Sequence, residues 1–299
     1  MKNKKMPIQY GEIGLLALLA LLWGSSYFLT KIAVETIPPI TLIAVRVSIA
    51  ALFLSAVVLW RRETFPSDLK SWRMLFVQAL FNSIGAWTVL AWGQQFVDSG
   101  LASVLNSTSP IFVFFITLFI TRHESANVTK LFGACLGVAG VVGIVGIDVF
   151  QDMGGQGLAL GAVLFGALLY ACAAIYGRRF AYLPSTVTAA GTMIWASVCL
   201  VPISLYFEKP WTIMPTFTAL IATAILSVFC TAFALLLYFR LVRTLGSMGV
   251  ASQSYLRAGV GVLLGVFVLG EQMTINLAFG LMAVILGVAV INLPVRTNR

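Results

Sequence analysis

An arginine, Arg257, stands near the middle of the run Ala251–Glu271, ASQSYLRAGVGVLLGVFVLGE, which is otherwise almost wholly apolar and about one bilayer long. A guanidinium does not shed its charge, and at a bilayer centre it costs about 2.5 to 3.5 kcal/mol even on the lenient insertion scale. Two roles would offset that cost. Arg257 is either a fixed cation on a solute pathway, able to hold a carboxylate or phosphate through two N–H groups, or a residue satisfied by carbonyls and hydroxyls of neighbouring helices. Gln253 and Ser254 lie within one helical turn of it. They either face the same cavity or act as polar glue between helices.

Other polar and aromatic residues sit inside apolar runs. Thr223, Ser227 and Thr231 recur every four residues and Tyr238 follows seven later, a polar stripe that lines a pathway or bonds back to its own helix. Trp23, Trp87, Tyr170 and Trp195 are placed to clamp a flat or cationic solute, or simply to pack. Arg46 lies about 10 Å along its helix from Pro39, which predicts a side chain that snorkels outward or caps carbonyls. The ten acids all fall at the ends of apolar runs or between them, so no midplane carboxylate offers itself as a proton carrier. One histidine, His123, and four dispersed cysteines form no hydrolytic, metal or nucleotide motif, so neither a cofactor nor an enzyme is expected. The cysteines are expected to be small core residues.

The elements that must position these groups are membrane helices. With 60% hydrophobic and 10% charged residues and a mean hydropathy of +0.99, the 299-residue chain lacks the polar surface to cover a soluble globule. The net charge of +9 sits in short clusters between apolar runs, the pattern of positive-inside loops rather than of a nucleic-acid surface. The runs predict ten spans at approximately 11–31, 39–60, 72–96, 99–121, 128–148, 156–177, 184–207, 216–239, 247–269 and 274–293. With the N-terminus inside, the cytoplasmic segments hold Lys2, Lys4, Lys5, Arg61, Arg62, Lys70, Arg73, Arg122, Lys130, Arg178, Arg179, Arg240, Arg243, Arg296 and Arg299, fifteen of the nineteen basic residues. Both termini are therefore expected in the cytoplasm.

A shift of 147 residues lays Trp23 on Tyr170, Asn106-Ser107 on Gln253-Ser254, Glu124 on Glu271, Phe132-Gly133 on Phe279-Gly280 and Gly140-Val141 on Gly287-Val288. Asn106 and Ser107 thereby join Gln253 and Ser254 as candidates for one cavity. The repeat predicts two units, 7–148 and 154–295, of five spans each. An odd number of spans inverts the second unit, so the expected fold is an all-α integral membrane protein with a 5+5 inverted repeat and a midplane site between the halves. Glu124 and Glu271 then fall at opposite faces, suited to helix ends and loop hydrogen bonds.

Trp23-Gly24-Ser25-Ser26, Pro39 followed by Arg46, the fourth-span stretch ending at Glu124, and Tyr255-Leu256 leading to Leu269-Gly270-Glu271 resemble the EamA family of the drug/metabolite transporter superfamily. The resemblance covers nearly the whole chain. It implies a bacterial inner-membrane exporter of amino acids or other small metabolites, with a central cavity. The chain departs from the family's proline thirteen residues before the second glutamate, where it has Ala258 beside Arg257, whereas Pro110 precedes Glu124 by fourteen. A kink is less expected in the second half. The residues together predict a secondary transporter of small polar or anionic metabolites in the lipid bilayer, working by alternating access without nucleic acid. The rival reading is a lipid-handling or structural membrane subunit with no solute pathway. A monomer and a homodimer are equally compatible with the sequence.

Overall fold

The computed structural model describes residues 10–120, 128–145, 156–238, 240, 241, 244 and 253–291, with side-chain placements for all of these except 10, 128, 130, 144, 145, 253–255, 288 and 291. Every regular element among them is helical: α1 (Tyr10–Val34), α2 (Pro39–Trp60), α3 (Leu69–Gly93), α4 (Ser99–Phe119), α5 (Val128–Val145), α6 (Gln156–Gly177), α7 (Ser185–Phe207), α8 (Phe217–Tyr238), α9 (Gln253–Leu269) and α10 (Ile275–Ile291). Seven of these, α1 to α4 and α6 to α8, are long and apolar enough to cross a membrane, and the apolar stretches of α5, α9 and α10 are shorter. Their bounds lie close to those expected, because apolar runs of this length between charged or proline-bearing turns leave the helix as the way to pair every backbone amide in lipid. Trp60 and Trp211 sit exposed at span ends, where an amphipathic ring suits the headgroup region. Of the cysteines only Cys230 is buried, and Cys135 is exposed, so the expectation that all four are core residues fails for Cys135.

Three helices depart from regular α geometry. In α4 the helix breaks at Ser107-Thr108, because Pro110 has no N–H to give and its ring crowds the carbonyl of Asn106. Hydroxyls take up the freed carbonyls: Ser107 donates to Ser103 O, Thr108 to Leu105 O and Ser109 to Asn106 O. Under the 147-residue offset Pro110 corresponds to Arg257, and α9 runs through Arg257 unbroken. In α3 and α8 the interruption is a wide π-turn, Leu80–Ala86 and Val228–Phe233. Thr231 donates to the carbonyl of Leu226, five residues back.

Helix α1 packs on α8 and α9, α6 on α3 and α4, α2 on α7, and α5 on α10. Small residues set the closest approaches. A Cβ on Gly287 of α10 would stand 2.5 Å from the Gly133 carbonyl of α5, and one on Gly24 of α1 would stand 2.6 Å from the Val260 side chain of α9. Gly261 and Gly265 belong to the same close packing, against Ser103 and Ser99 of α4. Thr41 to Ser204 at 2.8 Å and Ser48 to Ser197 at 2.7 Å tie α2 to α7. Acids and a lysine close helix ends. The Glu208 carboxylate accepts the N–H groups of Ile40 and Thr41 at the start of α2, Glu271 does the same at the start of α4, and Lys31 donates to the Gln94 and Val97 carbonyls after α3. Glu271 thus serves the helix-end role expected for it, while Glu124 and His123 lie outside the described residues.

Candidate functional site

Arg46 of α2 does not snorkel or cap. Its side chain is buried, its Nε donates to Thr231 Oγ1 at 2.7 Å, and its guanidinium carbon lies 4.3 Å from the centre of the Trp87 ring. Thr231 belongs to the π-turn of α8, and Trp87 follows directly on that of α3. Both irregular turns therefore serve one cation. The two terminal nitrogens of Arg46 make no hydrogen bond to a described residue, yet they are not sealed from open space. A desolvated cation–π contact is worth about 2 kcal/mol and a single hydrogen bond about 1 kcal/mol, against several for taking an ion out of water. These two contacts leave the charge under-compensated.

Tyr170 of α6 stands beside Trp87 and lies within electrostatic range of both Arg46 and Arg257. Tyr27 of α1 is close to Tyr170 and Arg46, and its hydroxyl accepts a hydrogen bond from Asn106 Nδ2 just before the break in α4. Gln94 holds Tyr27 from outside by donating to its carbonyl at 2.8 Å. Cys230 also lies near Arg46, with its Sγ 3.7 Å from Ser25 Oγ. The Arg257 backbone faces Gly24, where a Cβ would meet its carbonyl oxygen at 3.0 Å. The Arg257 side chain makes no hydrogen bond among the described residues, and its Nε is buried without a partner. Asn106 Oδ1 is a second buried atom with none.

Of the candidates read from the sequence, Arg257, Trp87, Tyr170, Thr231 and Asn106 come together around two cations. Ser107 turns onto its own helix, as do Thr223 and Ser227, which donate to the Ala219 and Thr223 carbonyls. Trp23 and Tyr238 pair with ring centres 5.4 Å apart in the seam between α1 and α8, among Leu19, Leu237 and Leu241. Trp195 packs edge-on against Trp72 and Phe76. The side chains of Gln253 and Ser254 lie outside those described. Sequence reasoning missed Tyr27 and misjudged Arg46. The available signal for Tyr27 was its place four residues after Trp23, on the same helical face.

A helical bundle with a broken helix, two π-turns and two arginines within its apolar helices has the architecture of membrane transporters. The sequence profile of the EamA-like transporter family matches the chain twice, over residues 11–146 and 157–293, and the chain belongs to that family. It is 28% identical to the "Uncharacterized inner membrane transporter YedA" of Escherichia coli (strain K12) over 262 residues, 87% of this chain and 84% of the relative. It is 26% identical to the "Uncharacterized transporter YoaV" of Bacillus subtilis (strain 168) over 271 residues, covering 90% and 92%. A solved crystal structure matches with a TM-score of 0.68 at 18% identity, over 94% of this chain and 97% of the other, which shows the shared fold.

Proposed function

We propose that this transporter is a secondary carrier of the inner membrane that moves a small anionic or zwitterionic metabolite, amino acids being the leading class. The observation that carries this reading is Arg257, whose Nε is buried without a partner while no carboxylate among the described residues lies beside it. A solute carboxylate arriving in the cavity would supply the missing counter-charge. Export rather than uptake is what the resemblance implies, and the inner membrane is where the name of the Escherichia coli relative puts that protein.

The mechanism we infer is alternating access between two five-helix halves of opposite orientation, in ten spans with both termini cytoplasmic. Three observations support it. The family profile matches once per half. The pairing of α1 with α8 and α9 recurs, under the 147-residue offset, as the pairing of α6 with α3 and α4. The basic residues favour one face. A reporter fused after Arg299 should accordingly be cytoplasmic, and one inserted between Asp152 and Gln156 external.

The experiment is counterflow of labelled amino acids and organic acids into proteoliposomes of the purified protein, with no proton gradient imposed. Exchange of an anionic or zwitterionic solute should persist there, since every acid of the chain lies at a span end or in a connection. Failure of every such solute to exchange overturns the reading. Accumulation that needs a proton gradient, and is lost when one acid is neutralised, overturns its coupling.

A further inference from the structure

We propose that Arg46 is a second anion anchor, so that the site prefers a small solute carrying two separate anionic groups, one held at Arg46 and the other at Arg257. This rests on the reading of Arg257 as a solute contact and narrows it to a substrate class.

The geometry at Arg46 is that of a prepared oxyanion receptor. Thr231 fixes Nε at 2.7 Å and the guanidinium carbon lies over the Trp87 ring, 4.3 Å from its centre. What remains is the edge that carries the two terminal nitrogens, unpaired and open. Parallel N–H groups on one edge match the two oxygens of a carboxylate, and an orientation already fixed means that little freedom is lost on binding. The contacts with Trp87 and Thr231 orient the charge without neutralising it.

Arg257 is a separate cation on another helix, its side chain without a hydrogen-bonding partner among the described residues, and Tyr170 lies within range of both. A solute with one carboxylate can serve one of these arginines and leaves the other uncompensated. A dicarboxylate serves both, with Tyr170 and Trp87 as aromatic walls beside its chain. Tyr170 and Tyr27 offer hydroxyls for the remaining oxygen lone pairs.

The test uses the purified parent protein and competition for counterflow by matched probes. Succinate and glutarate are set against butyrate and pentanoate, which have the same chain lengths and one carboxylate, with glycerol phosphate as a dianion of a single head. At least one dicarboxylate should compete about tenfold or more better than its matched monocarboxylate, a modest return for a second charge-assisted pair in a desolvated site. In Arg46→Gln the ratio should fall to about one, and in Arg46→Lys it should be intermediate, since lysine keeps the charge and loses the fork. Equal competition by mono- and dicarboxylates in the parent protein overturns the proposal, even if the Arg46 variants fail to fold. So does competition by glycerol phosphate with none by either dicarboxylate, which would mean one head at one arginine. Failure of every anion to compete is a different result, because it removes the underlying reading of Arg257 as well.

Discussion

Glu271 Oε2 accepts the backbone N–H of Gly100 at 2.9 Å, so an acid two residues beyond α9 closes the first turn of α4. Its Oε1 takes the neighbouring N–H of Ser99 at 2.7 Å. A carboxylate at a helix N-terminus meets both the unpaired donors and the positive end of the helix dipole. The contact also fixes where the broken helix α4 begins relative to α9, which carries Arg257.

Removing that carboxylate should loosen the protein. Glu271→Ala leaves two N–H groups unpaired and should destabilise by on the order of 2 kcal/mol, with Glu271→Gln losing less because its carbonyl still accepts. Gly265→Ala should mimic the loss, since its Cβ would collide with the Glu271 carboxylate and with Ser99 Oγ. Thermal unfolding in detergent measures all three. An unchanged midpoint for Glu271→Ala would show that the cap contributes nothing.

Two aspartates at helix starts should give pH slopes of opposite sign. Burial, and then the charge of Glu271, push Asp98 above the usual carboxylate range, while Lys31 pulls the other way. The folded state therefore binds that proton more tightly than the unfolded chain, and stability falls as pH rises from the ordinary value of about 3.9 through the raised one. Hydrogen bonds from Ser71, the backbone N–H foremost at 2.6 Å, hold Asp68 below the usual range. Its contribution is present above the ordinary value and lost as pH falls toward the lowered one. Asp98→Asn should flatten a falling slope in the unfolding midpoint and raise stability at neutral pH. Asp68→Asn should flatten a rising one and lower it.

The seam between α5 and α10 tolerates no added atom at Gly287. A Cβ there would meet the Gly133 carbonyl at 2.5 Å, the Gly137 nitrogen at 2.6 Å and the Gly137 Cα at 2.9 Å, all backbone and unable to swing aside. Gly287→Ala should cost about 1 to 3 kcal/mol, the usual range for overpacking. Gly143→Ala, where a Cβ meets nothing within 4 Å among the described residues, is the matched control and should leave the unfolding midpoint unchanged or slightly raised.

Arg257→Gln should weaken anionic and zwitterionic solutes while the protein stays folded, because Arg257 makes no hydrogen bond whose loss would loosen the bundle. Arg257→Lys should rescue in part. Counterflow gives the affinity and thermal unfolding gives the control. Unchanged affinity in a stable Gln variant would make Arg257 structural. Thr231→Val, which frees Nε of Arg46 without altering charge, should reduce affinity for dicarboxylates more than for monocarboxylates if Thr231 acts by positioning.

The helices were legible because a bilayer imposes a length and a composition on each of them. Arg257 was legible by the expense of a lone charge in an apolar run. Arg46 was misread for a physical reason. Its distance from Pro39 is compatible with snorkelling, and only the folded chain brings Thr231, 185 residues away, onto its Nε. The π-turns left no mark in the sequence pattern, because a turn widened by one residue changes the hydrogen-bond spacing and not the composition. Trp23 and Tyr170 are equivalent under the repeat, yet Trp23 packs on Tyr238 whereas Tyr170 stands beside Trp87.

A π-turn holds one residue more than the α-turn it replaces. The two turns start at residues 80 and 228 and end at 86 and 233, so the ends differ by 147, the spacing of the repeat itself, and the starts by one more. Each repeat thus carries one widened turn at the same depth, and from these two turns Trp87 and Thr231 reach the same guanidinium.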